Sequence, residues 1–532
     1  MKGAGFQTAA FPASFILSAQ FGLNQGFDTY DAPPPPKSQQ SFDSERSADA
    51  GTDLALSWLA GHPAGKSFLW LHYYDPHWPY APPFPFSAQF KDAPYDGEIA
   101  AVDAQLARLF AVLRKDPAWA RTLLIVVGDH GEGLYEHGER FHSLLAYETT
   151  LHVPLIIKAP GGARSRRVAT PVTLADLTPT VLDFAGVPIP GPMQGISLRR
   201  AIDGGELPRR DLYFETLVGA LNYGWSSLRG VRDGKWKFID SSRPELFDLA
   251  VDPAEMNNLA SSEAQRVADM REGLAALESS TTKIVEHRDV APTLDPATLA
   301  TLASLGYVSG GGTGPTTTGG PHPQTLIDLE PEMLAAQDAV AARRWDRVEE
   351  TCRYVLTRDA ANRFALYHLA LALADTGRPQ QAEPFARQLV TLYPDSETNH
   401  DLLAQILIAR KQPAEAREVL RKALDVFPKS EGLRYHEVLA KFDAGDADAC
   451  NAVDRAVAEH PGSGRVRVLK ARCQARKGDV AGALASLSEA RLLGFLDFDL
   501  LRQHPEFKTV VARPEFEALL RSAPLAAPRP SP

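Results

Sequence analysis

The sequence predicts two successive architectures, an α/β sandwich and then an all-α repeat unit. Over the first half, apolar runs that end abruptly in polar residues alternate with helically spaced stretches, the pattern of strands alternating with helices. A tract too rich in Gly, Pro and Thr to bury a core, SGGGTGPTTTGGPHP at 309–323, then interrupts the chain. Beyond it Pro394 and Pro428 stand 34 residues apart and Pro461 follows after 33, a register that generic helices do not keep.

Composition narrows the function classes. The chain has 532 residues, 44% of them hydrophobic, enough for real cores in two to four domains at about 150 residues each. Its net charge of −10, with no basic block, argues against nucleic acid or an anionic membrane as partner. No apolar stretch approaches the roughly 18 residues of a membrane span, so none is expected in this chain. The three cysteines, Cys352, Cys450 and Cys473, have no ligand-like spacing, so neither a disulfide framework nor a zinc–thiolate site is expected.

The elements follow in order. GFQTAAF at 5–11 alternates like a strand, and Pro12 breaks the weakly apolar run 11–19, which disfavours a secretory leader. Residues 13–22 read as helix or loop, and the prolines at 33–36 open a polar surface excursion lasting to about 51. Helical periodicity resumes at 53–59. SFLWLHY at 67–73 is a second buried strand, ending in Asp75-Pro76-His77-Trp78-Pro79-Tyr80, where the two prolines fix φ around His77. YDGEIAAVDAQLARLFAVL at 95–113 is an amphipathic helix whose Asp96, Glu98 and Asp103 read as a solvated face and partners of the helix dipole. The apolar run 122–127 reads as a buried parallel strand that delivers Asp129 and His130 at its carboxyl end, the edge where open α/β sheets place their chemistry. His137, His142 and a third strand, HVPLIIKAP at 152–160, follow, then a helix at 174–187. From Asp211 onward LYFE, LRGVRD and KWKFID, with a turn at Asp233-Gly234, predict a small antiparallel subdomain.

Together these pieces carry a resemblance. GLNQGFDTYD (22–31), FLWLHYYDPHWPYAPP (68–83), YDGEIAAVD (95–103), IVVGDHGEGLYEHG (125–138), His142 with VPLIIKAPG (153–161), ADLTPTVLDFAGV (175–187) and ELFDLAVDPAEMNNL (245–259) stand in the order of a sulfatase-type domain. The chain from Lys2 to about Asn258 resembles the C-terminal two thirds of that domain of the alkaline phosphatase superfamily. The resemblance implies that Asp129 and His130 bind a divalent cation, one of Ca, Mg, Mn or Zn. It also implies that His77 and His142 are the catalytic and substrate-binding imidazoles, facing the oxygens of a sulfate or phosphate ester and its leaving group. Such imidazoles donate to charge that develops in the transition state while a metal bridges nucleophile and substrate oxygen. Glu132 would orient an imidazole from behind, and His137 would be a loop residue bonded locally.

The sequence departs from the family's pattern at its start. The family's opening strand with acidic metal ligands, and the Cys, Ser or Thr nucleophile that follows in a motif such as C-x-P-S-R, have no counterpart here. The expectation is an N-terminally truncated hydrolase domain, inactive as this chain, with an unpaired strand edge. A full-length form is expected in the periplasm or elsewhere outside the cytoplasm. A pseudoenzyme scaffold is the alternative, and transfer of a lipid-linked phosphate group a third reading.

In the repeats, Val348, Ala382, Ala416, Ala449 and Ala483 occupy one column of small residues, and Gly377, Lys411, Gly445 and Gly478 occupy one turn column. Small residues let antiparallel helices approach, and prolines stop each second helix. The period resembles tetratricopeptide repeats, which implies a solenoid whose surface binds a protein or peptide partner. The expected organisation is a sulfatase-like domain at 1–290, a linker at 291–330 with a docking element at 302–307 before its Gly/Thr tract, repeats at 331–522 with an end cap from 500, and a disordered tail at 523–532.

Overall fold

The computed structural model describes residues 1–34, 45–61, 65–162, 165–281, 319–495 and 498–521. They divide into two compact units, one closing at Pro331 and the other opening at Glu332.

In the first unit β1 (Phe6–Phe11) is the middle strand of a three-stranded parallel sheet, between β2 (Thr29–Tyr30) and β3 (Lys66–Leu71). Covering on both faces is what a parallel strand demands, and Ala9 and Ala10 are fully buried. On one face Ala9 and Phe11 meet Ala55 and Trp58 of α1 (Ala48–Gly61), with Leu69 and Leu71 of β3 alongside. Residues 13–22 turn tightly in two 3-10 segments, Phe15–Leu17 and Ala19–Phe21. After the short α2 (Phe86–Gln89), the amphipathic helix α3 (Pro94–Leu113) starts on a proline, whose missing N–H costs nothing there.

The strand at 122–127 forms as β4 (Leu124–Val127), but its partner is β5 (Leu155–Lys158), and the two run antiparallel with Leu124 opposite Lys158. An apolar run specifies a strand without specifying its direction, and the long intervening loop with α4 (Glu148–Leu151) lets the chain reverse. Helices α5 (Leu177–Ala185) and α6 (Arg199–Ile202) follow, the first led in by a Thr173–Asp176 capping box.

The expected antiparallel subdomain is a meander of β6 (Leu212–Thr216), β7 (Leu228–Asp233), β8 (Trp236–Asp240) and β9 (Glu245–Asp248), in sequence order. Helix α7 (Ala264–Thr281) covers it through Val267, Met270 and Leu274 against Val231, Phe238 and Leu246. Buried polar contacts tie the meander to the segment after β4. The Tyr147 hydroxyl donates to the Glu245 carboxylate at 3.0 Å, and Lys237, wholly buried, lies 3.3 Å from Glu148 and 2.7 Å from Glu255.

Of the stretch expected as a linker, 291–318 lies outside the described residues, as do the docking element at 302–307, part of the polar excursion (35–44) and the tail at 523–532. Residues 319–331 pack on the first unit instead. Ser226 N–H donates to the Pro321 carbonyl at 2.9 Å, His322 Nε2 lies 3.5 Å from Glu245, and Ile327 and Leu329 are buried. Their apolar side chains follow directly on the Gly/Thr tract, so a composition averaged over 291–330 hides them.

The second unit is a run of antiparallel helices: α8 (Glu330–Ala341), α9 (Trp345–Arg358), α10 (Arg363–Asp375), α11 (Pro379–Leu392), α12 (Glu397–Ala409), α13 (Pro413–Val426), α14 (Glu431–Asp443), α15 (Ala449–Glu459), α16 (Gly464–Arg476) and α17 (Val480–Leu492). The small-residue column is buried throughout, from Val348 to Ala483. The turn column is left-handed at every position, with φ of 74° at Gly377, 61° at Lys411, 71° at Gly445 and 78° at Gly478, and Arg343 extends it one repeat earlier at 51°. Phe498, Phe507 and Phe516, the last on α19 (Pro514–Arg521), which follows α18 (Lys508–Val511), bury against Ala471, Leu487 and Ala490 and close the end of the core.

One expectation is corrected here. Cys450 and Cys473 are joined as a disulfide, with Cα atoms 5.7 Å apart. Their separation of 23 residues matches no ligand motif, but it carries the chain down α15 and back along α16.

Candidate active site

Asp129 and His130 follow β4 through Gly128, whose N–H donates to the Pro154 carbonyl at 3.2 Å. The next residue, Gly131, donates to the Thr150 carbonyl at 2.8 Å in a close approach where a Cβ would strike the Thr149 backbone. His130 Nδ1 lies 2.9 Å from the Gly131 carbonyl, which only accepts, so Nδ1 carries the hydrogen and Nε2 keeps its lone pair. That Nε2 lies 3.8 Å from Asp129 Oδ2, and the two side chains remain 44% and 73% exposed. A carboxylate oxygen and an imidazole lone pair side by side, open to incoming ligands, fit part of the donor set of a divalent cation. Among the described residues no group of three or more His, Cys, Asp or Glu side chains gathers closely enough to hold one.

His142 completes a row of imidazoles. Its ring centroid is 4.1 Å from that of His130 and 5.5 Å from that of His77. Its Nδ1 lies 3.1 Å from Glu132, a carboxylate whose side chain is only 4% exposed. The carboxylate accepts, so Nδ1–H is held by Glu132 and Nε2 is left free to address a ligand.

His77 comes from the loop after β3. Its Nδ1 donates to the Trp78 carbonyl at 2.6 Å, and its Nε2 lies 3.2 Å from the Tyr74 hydroxyl. Burial holds its pKa below the ordinary imidazole value, against the pull of the Trp78 carbonyl. Thus the four residues expected on sequence grounds, Asp129, His130, His77 and His142, come together from one strand end and two loops.

Three further residues went unrecognised in the sequence. His72, immediately after β3, accepts the Ala13 N–H on Nδ1 at 3.2 Å; burial lowers its pKa, with Asp129 pulling upward and His130 pushing down. Glu98, expected on a solvated face, is instead 3% exposed. It accepts the His77 N–H at 3.1 Å and the Ala81 N–H at 2.6 Å, and burial pushes its carboxyl up to about 7. The signal was present, because Glu98 shares its helix stripe with buried Ala101 and Leu109. Glu139 accepts the N–H groups of Leu144 and Leu145 at 2.8 and 3.0 Å, pinning the turn that carries His142, and burial likewise pushes it up to about 7. Asp96 and Asp103 are exposed as expected. His137 stacks on Tyr147 at 3.8 Å and lines a separate cavity of about 280 Å³ with Arg243, Glu245 and Asn258.

Comparison with known proteins adds family context. Residues 1–187 match the Sulfatase family, residues 135–294 the C-terminal region described for N-sulphoglucosamine sulphohydrolase, and 333–397, 373–442 and 435–494 match tetratricopeptide repeats. Arylsulfatase K of Mus musculus is 33% identical over 176 residues, 31% of this chain and 32% of that protein. The chain thus spans about a third of the length of the curated relatives it matches. Among solved structures, a putative sulfatase from Bacteroides fragilis is 20% identical, with 45% of this chain and 60% of that one covered and a TM-score of 0.39. A phosphonate monoester hydrolase from Silicibacter pomeroyi is 22% identical, with 53% and 73% covered and a TM-score of 0.39.

Proposed function

We infer, from a chain that belongs to the sulfatase family in its first unit and to the tetratricopeptide repeats in its second, that its site serves metal-dependent hydrolysis of a sulfate, phosphate or phosphonate ester. The observation that carries the reading is the row His77, His142, His130, ending beside Asp129. Asp129 and the His130 lone pair would hold the divalent cation, which when bound would supply Lewis-acid polarisation of the ester oxygen. His142, oriented by Glu132, presents Nε2 to the ester oxygens and, when protonated, stabilises charge developing on the leaving group. His77, fixed between Tyr74 and the Trp78 carbonyl, sets the far wall of the anion site. The nucleophile is assigned to none of these residues. The repeats would hold a protein or peptide partner.

The test has two readouts. Titration with Ca, Mg, Mn or Zn should show one cation site that Asp129→Ala removes. Hydrolysis of an aryl sulfate, phosphate or phosphonate ester should fall by about 100-fold or more in His142→Ala, the loss typical of one transition-state donor. A folded chain that binds no cation and cleaves none of these esters sinks the enzyme reading and leaves the non-catalytic scaffold acting through its repeats.

A further inference from the structure

We propose that Cys450 and Cys473 are an oxidative modification site: in the working protein they form a disulfide that staples α15 to α16, and the chain accordingly operates in an oxidising compartment. This inference stands independently of the ester-hydrolase reading. It rests on placement. Cys450 is the second residue of α15 and Cys473 lies in the last turn of α16, so the bond closes the open end of the hairpin, opposite the turn at 460–463. A Cα separation of 5.7 Å lies within the span a disulfide bridges without backbone movement.

The helix it holds is short and has small buried anchors. At 11 residues α15 is the shortest of the helices α8 to α17. Its N-cap, Asp448, makes no side-chain capping bond, whereas Ser463 caps α16 through the Val466 N–H and Asp479 caps α17 through the Gly482 N–H. Its buried anchors are Ala449, Ala452, Val453 and Ala456, so three of four contribute only a methyl group. The third cysteine, Cys352, is fully buried on α9, and burial pushes its thiol up to about 12, so it stays a thiol and does not compete.

In the bond-forming step each thiol loses a proton and the pair gives up two electrons. These pass by exchange through a mixed disulfide to the disulfide of a thiol–disulfide oxidoreductase, which leaves as a dithiol. Reducing cytosol reverses that exchange, which ties a stapled repeat unit to oxidising surroundings such as a periplasm.

The experiment takes the protein from its native cells, with thiols trapped by acid and blocked by N-ethylmaleimide in denaturant. Reduction and a second, heavier label follow, before peptide mapping. The heavier label is expected on Cys450 and Cys473, and the first label on Cys352. Hydrogen exchange and thermal melting of the purified chain with and without dithiothreitol form the second arm. Reduction should speed exchange across 449–459 and lower the repeat unit's Tm by about 5 °C, as loss of a short-loop disulfide does. Cys450→Ser should reproduce the reduced protein, and if that variant does not fold, the oxidised and reduced wild type still decide. First label on all three cysteines overturns the compartment. A bridged protein whose α15 exchange ignores reductant overturns the staple.

Discussion

His142 owes its orientation to one carboxylate, and His77 owes the placement of its loop to another. Glu132 stands 3.1 Å behind His142 Nδ1, nearly out of water, and fixes which nitrogen of the ring faces outward. Replacing it by Ala frees the imidazole to rotate and to change tautomer. We expect turnover to fall about 10- to 100-fold with an unchanged circular-dichroism spectrum, and turnover equal to wild type would remove Glu132 from the site. Glu98 acts on the backbone instead, accepting the N–H groups of His77 and Ala81. Glu98→Ala leaves two donors without an acceptor and should cost about 1–3 kcal/mol in denaturant unfolding, whereas Glu98→Gln, which keeps an acceptor, should recover part of that loss. At this scale the gathering of Asp129, His130, His77 and His142 was legible because each follows an apolar run or sits in a motif with fixed neighbours. Glu98 and Glu139 were not, since a carboxylate in a helix or turn looks solvated until the surface that covers it is known.

Among the elements, the repeat helices were the most readable, because a period of 34 residues repeats the same physical demand at each turn. The demand at the turn column is a left-handed residue, met cheaply by Gly377, Gly445 and Gly478 and at a cost by Lys411, with φ of 61°. Lys411→Gly should therefore raise the stability of the second unit by about 1 kcal/mol, measured as a shift in the denaturation midpoint with unchanged slope. No gain would mean that Lys411 recovers the strain through its side chain. The strands were readable as strands but not as partners. Nothing in the run 124–127 distinguishes a parallel from an antiparallel neighbour, and β5 decides it from 28 residues further on, where Leu155 lies opposite Val127. The disulfide and the 319–331 segment were missed for a related reason. Both depend on surfaces meeting in three dimensions, Cys450 with Cys473 across a hairpin and Ile327 with Gly138 across the first unit.

For the molecule as a whole, raised carboxyls in the first unit and a strongly lowered imidazole in the second give the two units different responses to pH. In the first unit burial pushes Glu98 and Glu139 up to about 7 from an ordinary 4.5. The unfolded chain releases those protons first, so their contribution is complete below pH 4.5 and is lost as pH rises through 7. The lowered imidazoles of His72, His77 and His137 oppose this only below their ordinary value of 6.5. Above pH 6.5 the carboxyls therefore act against little opposition. In the second unit His368 stacks on Phe364 at 4.1 Å with Nδ1 out of water and unpartnered among the described residues, and burial lowers its pKa from 6.5 to about 4. The unfolded chain takes up that proton first, so stability is full above pH 6.5 and falls as pH drops toward 4. Scanning calorimetry should thus show the first unit's transition moving down between pH 6.5 and 8, and the second unit's moving down between pH 6.5 and 4.5. Glu139→Gln should weaken the first shift and His368→Leu the second, each leaving the other transition in place. If both transitions moved together in the wild type and in both variants, the buried groups would not be setting the pH response of either unit.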